Sequence, residues 1–150
     1  MRFSIAADEL TGIAAAIAAA IEERGHEVAA RHGALAADER DDWAWASESA
    51  ARDVAAGVAE QGVVACWTGT GAAIAANKVA GIRAALCGDA ETARGARRWN
   101  DANVLALSLR STSEHELAEI LDAWLEAGPS AEADDRANVD HLIEIERGDA

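Results

Sequence analysis

Positive charge is scarce in this chain. Lys and Arg number 13 against 27 Asp and Glu, a formal charge of −14, and Lys78 is the only lysine. A surface of that sign repels nucleic acid and anionic membranes, so neither is expected as a partner, and it favours solubility at high salt. Cysteine is almost as rare. Cys66 and Cys87 form no CxxC or Cys/His cluster, which argues against a metal site and a disulfide framework and suits a reducing compartment. No apolar run approaches the length that spans a bilayer. The opening MRFSIAADEL has no cationic stretch ahead of an apolar one, so no signal peptide is expected and a cytoplasmic location is. Internal repeats and low-complexity linkers are missing too. Tyrosine is absent and phenylalanine occurs once, which leaves the five tryptophans conspicuous.

What the chain has in quantity is alanine. It dominates an apolar content of 51% and favours helices packed closely on a smooth sheet. A length of 150 residues predicts one domain, 1–150, with a single core. Strand-length apolar runs alternate with helical patterns. The runs are RFSIAA (2–7), HEVAAR (26–31), VVAC (63–66), RAALC (83–87) and NVLALSL (103–109). Helical patterns cover 11–25, with Thr11 as cap and Gly25 as stop, and 47–62, capped near Ser47 or Ser49. Others cover 71–80, 90–100 and 113–127, while 34–45 reads as a polar connection. Gly128-Pro129 breaks the chain before a last amphipathic helix that begins at Ala131. Strands separated by helices need crossovers, so the sheet is predicted to be parallel with helices on both faces.

Ligands of such sheets bind beyond the carboxyl ends of the strands. Asp8 and Glu9, Cys66 to Gly71, Asp89 and Arg110 all fall there. In CWTGTG (66–71), Gly69 and Gly71 permit a tight turn whose N–H groups converge on an anion at the start of the next helix. It is neither a Walker loop nor a dinucleotide fingerprint. An ordinary strand-to-helix turn would use the same glycines. A thiol at a helix N-terminus gives up its proton more readily than a free one, which makes Cys66 a candidate base or nucleophile and leaves Cys87 as a buried, inert residue. The four histidines share no metal-ligand spacing and read as surface or cap residues.

AANKVAG (75–81), GIRAALC (81–87) and WNDANVLAL (99–107), with CWTGTG upstream, resemble the ribose-5-phosphate isomerase type B family, which includes the galactose-6-phosphate isomerase subunits. The likeness runs over nearly the whole chain. It implies a Rossmann-like three-layer α/β/α sandwich with a five-stranded parallel sheet and a C-terminal helical arm. It also implies dimers, sometimes paired into tetramers, whose terminal helix, residues 131–147 here, reaches the partner subunit. No metal or nucleotide cofactor is implied. On this resemblance Cys66 is the base that moves a proton between C1 and C2 of an open-chain sugar. Thr68, Gly69, Thr70 and Gly71 stabilise the cis-enediolate through backbone N–H groups. Asp8 matches an acid, Asn100 and Asp101 match the family's Asn-Asp, and Arg110 matches an arginine that helps hold phosphate.

Departures from the family pattern bear on the substrate. Glu9 and Trp99 replace histidines, Trp43 a tyrosine, Trp45 an aspartate and Trp67 a glycine. In the terminal helix the family's phosphate clamp falls on Asp134, Asp135, Arg136, Ala137 and Asn138. A dianionic phosphate would meet few donors there, and lost charge-assisted contacts cost about 1.5–3 kcal/mol each. The expectation is an aldose–ketose isomerase or epimerase-like enzyme, with Cys66 as base and Asp8 or Glu9 as the second acid/base. Trp43, Trp67, Trp99, Asn100, Arg110, Asp134 and Asn138 contact a sugar or sugar-like substrate other than ribose 5-phosphate. Two alternatives stand beside it: a phosphosugar isomerase that re-uses Arg110 and Arg136, and a non-catalytic binding or partner subunit.

Overall fold

The computed structural model describes residues 1–148, so residues 149–150 lie outside the described residues. Strands and helices alternate along them: β1 (Arg2–Ala7), α1 (Ala16–Glu22), β2 (Glu27–Gly33), α2 (Trp43–Ala55), β3 (Gln61–Cys66), α3 (Thr70–Ala76), β4 (Ala84–Leu86), α4 (Ala90–Asn100), β5 (Val104–Ser108), α5 (Glu114–Glu126) and α6 (Ala133–Arg147). Every strand pair is parallel and the order across the sheet is β2-β1-β3-β5-β4. The expected three-layer Rossmann-like architecture is the one observed. After β2 the chain crosses to the far side of β1, so the order reverses between β1 and β3. The crevice beyond the carboxyl ends of those two strands is the topological switch point at which open α/β sheets bind ligands.

Strand alternation divides the core into two unlike halves. Phe3, Ile5, Val63, Leu105 and Leu107 face α1, α4 and α5 and meet Ile13, Ile17, Ile21, Leu117, Ile120, Leu121 and Trp124. Each such side chain contributes about 1.5–3 kcal/mol by leaving water. The Trp124 indole N–H donates to Gln61 Oε1, so the largest core residue leaves no polar group unpaired. Ala6, Val64 and Ala106 face the other way, towards Ala46, Ala50 and Ala51 of α2 and Ala72 and Ala76 of α3. Alanine on both sides lets these helices lie close to the sheet, and the loop after β3 leaves from this thinner half.

Helix boundaries differ from the sequence expectation in two informative places. The first helix begins at Ala16, and Thr11 provides no cap. Gly12 has φ +54°, and a Cβ there would lie 2.3 Å from the carbonyl oxygen of Leu109, so close approach to the residue after β5 holds residues 12–15 in turns. The second helix starts at Trp43, not near Ser47, and ends before Gly57 at φ +76°. Its first residue packs on Gly71, so tertiary contact extends the helix into a stretch whose polarity reads as loop. Elsewhere Ser113 and Glu116 form a reciprocal capping box at α5, and Asp89 caps α4 by accepting from the N–H of Thr92. Asp89 is therefore occupied at a helix start, not at the crevice.

Candidate active site

Ala7 pairs with Ala65 in register, so Asp8 and Cys66 leave the sheet side by side at the switch point. Cys66 is 5% exposed. Its sulfur accepts the N–H of Ala72, in the first turn of α3, at 3.4 Å. The turn between them is closed by the Gly69 N–H donating to the Cys66 carbonyl at 3.2 Å. Gly69 sits at φ +77°, and a Cβ there would fall 2.4 Å from Leu86 Cδ1 and 2.9 Å from the Leu107 carbonyl oxygen. Only glycine fits both the angle and the space. Among the described residues, the backbone N–H groups of Thr68, Thr70 and Gly71 have no acceptor. The hydroxyls of Thr68 and Thr70 bond to each other at 2.7 Å, which fixes the rim of the loop.

The loop is tied to the end of β5. Leu109 and Arg110 donate their N–H groups to the carbonyls of Cys66 and Trp67 at 2.9 and 3.0 Å, and the Ser108 hydroxyl adds a bond to Trp67 O at 2.9 Å. Arg110 is thereby stationed beside the turn, and its guanidinium has no ion-pair partner among the described residues. Trp67 is half exposed at the loop's outer face. Trp43 lies over the start of α3, since a Cβ on Gly71 would be 2.9 Å from its ring. Trp45 is turned aside: the Arg40 guanidinium stacks on its ring at 3.4 Å.

Next to Asp8 opens a cleft of about 440 Å³ lined by Glu9, Leu10, Gly33, Glu39 and Asp41 among others. Asp8 Oδ1 is buried and has no hydrogen-bond partner. Burial pushes the Asp8 carboxyl above its ordinary range, and the negative charges of Glu9 and Asp41 push it the same way, against a backbone hydrogen bond that pulls it down. Both influences favour the protonated form of Asp8. Cys87 is the opposite case of a titratable group: buried among apolar residues, with Asp89 nearby, its thiol is pushed up to about 12 and stays protonated. No group of three or more acidic, His or Cys side chains is arranged to hold a metal ion among the described residues.

Four of the sequence candidates are elsewhere. α4 starts at the carboxyl edge and runs back, so Trp99 and Asn100 end at the amino edge, where Arg83 ahead of β4 bonds to Asp101 at 2.8 and 3.0 Å. Trp99 folds onto its own helix at Gly95. It lines a cleft of about 350 Å³ with Arg98, Asp135 and Arg136, beneath α6. Asp134 and Asn138 belong to the same helix, where the Asn138 amide donates to the Asp134 carbonyl at 2.8 Å. No residue of α6 is buried, although Glu146 fastens its end to the Gly81 N–H at 3.0 Å. Within one chain, the group around Trp99 and α6 and the group around Cys66 occupy opposite edges of the sheet.

The pattern has close relatives. The family model described as Ribose/Galactose Isomerase matches residues 3–142. The chain belongs to this family. Ribose-5-phosphate isomerase B of Escherichia coli is 40% identical over 111 residues, 74% of this chain and 73% of that one. The galactose-6-phosphate isomerase subunit LacB of Clostridium acetobutylicum is 43% identical over 104 residues, 67% of this chain, and the match spans only 60% of that subunit. Among solved structures, ribose-5-phosphate isomerase B of Clostridium thermocellum superposes with a TM-score of 0.88 at 35% identity, over 100% of both chains.

The two relatives are by name isomerases of galactose 6-phosphate and ribose 5-phosphate, so the protein is a member of a family of sugar-phosphate isomerases. No helix among its described residues is long and apolar enough to cross a membrane. Sequence reading missed one group beside the crevice. His32, read as a surface residue, is 15% exposed at its side chain and lies between Asp53 and Glu39. Its partners come from α2 and from the β2–α2 loop. Only a prediction of the loop's path would have found them.

Proposed function

We propose that the crevice between Asp8 and Cys66 isomerises an open-chain aldose or ketose, or a sugar-like compound other than ribose 5-phosphate. Cys66 takes the proton from the carbon beside the carbonyl. The electron pair moves onto the carbonyl oxygen, giving a cis-enediolate, and the proton is returned to the neighbouring carbon. The unpaired N–H groups of Thr68, Thr70 and Gly71 receive the developing negative charge, a preorganised arrangement that costs no reorientation during reaction. Asp8, whose surroundings favour its protonated form, or Glu9 passes a proton between the two substrate oxygens. The observation that carries this reading is the Cys66 sulfur under the first turn of α3, below a loop of open N–H groups.

The wall formed by Glu9 and Asp41 accepts hydrogen bonds from sugar hydroxyls and repels a phosphate dianion, which supports an unphosphorylated substrate. We further infer a cytoplasmic homodimer, extendable to a tetramer, in which α6, Trp99 and Asn100 of one protomer cover the crevice of its partner. The opposite-edge positions and the unburied α6 support that assembly. A second reading, turnover of a sugar phosphate, is favoured by one observation. Arg110 and Arg136 carry guanidiniums without ion-pair partners among the described residues. Thermal shift and turnover should be measured with ribose, allose and galactose beside their phosphate esters. Stabilisation and turnover by the free sugars establish the first reading. Turnover of ribose 5-phosphate alone establishes the second.

A further inference from the structure

His32 has a carboxylate on each ring nitrogen. Nε2 lies 2.7 Å from Asp53 Oδ2 and Nδ1 lies 3.0 Å from Glu39 Oε2. A neutral imidazole carries one N–H and can donate to only one of them, while the imidazolium donates to both. The two ends are not equally secured. Asp53 is also held by the Ser4 hydroxyl at 2.7 Å, from inside the sheet. Among the described residues Glu39 has in addition only the N–H of Gly33, at 3.3 Å. The strand residue paired with His32 across β1 is Ala6, which cannot titrate, so Asp53 from α2 and Glu39 from the loop are the charged groups that face the ring.

Glu39 and Gly33 also line the acidic cleft with Asp8, Glu9 and Asp41. We propose that His32 is a positioning residue: its protonated ring holds Glu39 against β2, out of the substrate volume and with its charge balanced. When the ring loses its proton, one bond of the bridge must fail. The Glu39 end gives way, because Asp53 keeps Ser4. The freed carboxylate then joins Glu9 and Asp41 at the cleft and raises its negative charge. The device controls the shape and charge of the cleft, and it stands whatever substrate the cleft accepts.

Nuclear magnetic resonance of the full chain tests this without a substrate. Long-range nitrogen–proton correlations report whether both His32 nitrogens are protonated. Amide exchange at Gly33, corrected for the intrinsic effect of pH, reports whether Glu39 is in place. Gly33 protection should fall about tenfold as the His32 ring titrates, the scale of one hydrogen bond to a charged group. Glu39→Gln should remove that step. His32→Gln should leave Gly33 weakly protected at every pH while the amides of β1 remain protected. Gly33 protection that is level across the His32 titration overturns the proposal. So does full Gly33 protection in His32→Gln. Should His32→Gln fail to fold, the wild-type profile and Glu39→Gln decide the matter.

Discussion

The N–H of Ala72 points at the sulfur of Cys66 across 3.4 Å, linking the end of β3 to the start of α3. A serine at 66 keeps the size and the acceptor but is a far weaker base. Cys66→Ser should therefore reduce turnover by several orders of magnitude while ligand-induced thermal stabilisation survives. Cys87, with its thiol held near 12, should tolerate the same change with turnover close to wild type. Equal losses in the two variants would show that the thiol acts through structure alone.

Asp8 predicts a trade between stability and activity. Its carboxyl is raised in the folded state, first by burial and then by Glu9, so the unfolded chain ionises it at lower pH. Folding stability consequently falls as pH rises from below the unfolded value through the folded one, and the cost persists above it. Asp8→Asn should melt a few degrees higher than wild type near neutrality. The difference should vanish in acid, where both states hold the proton. Turnover should drop in the same variant. Melting curves across pH, beside activity at neutral pH, check both halves.

The two glycines of the turn predict unequal costs. A Cβ at Gly69 meets the backbone of Leu107 at 2.9 Å on a residue held at φ +77°, whereas the nearest atoms to a Cβ at Gly71 are those of the Trp43 ring, from 2.9 Å. Backbone cannot yield and an exposed indole can. Gly69→Ala should destabilise by about 3 kcal/mol, Gly71→Ala by about 1 kcal/mol. Urea unfolding measures both, and adding Trp43→Ala should relieve only the Gly71 variant.

These positions show how much the sequence disclosed. The five strands, their parallel direction and the location of Cys66, Asp8 and Arg110 at one edge followed from apolar periodicity and the crossover rule, while the strand ends moved by up to two residues. The helix starts at Trp43 and Ala16 did not, because each is decided by a distant contact, with Gly71 and with Leu109. The family resemblance grouped Trp99, Asn100, Asp134 and Asn138 with Cys66 through sites shared between subunits, and within one chain α4 carries the first two to the amino edge and α6 carries the others with them.

The charge of the wall predicts ligand preference. Wild type should bind ribose or allose more tightly than their phosphate esters at moderate salt. Asp134→Arg combined with Asn138→Arg should gain phosphate-ester binding about tenfold or more, provided the dimer forms, since each new pair is charge-assisted. Titration calorimetry of both proteins measures this, and sedimentation gives the assembly state. Tight wild-type binding of ribose 5-phosphate would defeat the charge argument.

The distribution of indoles gives the molecule an optical signature of its own. Trp124 is sealed in the core against Gln61, while Trp43, Trp45, Trp67 and Trp99 are each about half exposed. Four wet fluorophores outnumber one dry one. The native protein therefore emits at long wavelength before any denaturant is added, and unfolding moves the peak little. Quenching by iodide or acrylamide removes most of the native emission and leaves the blue light of Trp124. That residual band reports the core alone, and the quenched fraction reports whatever settles over the crevice loop or beneath α6.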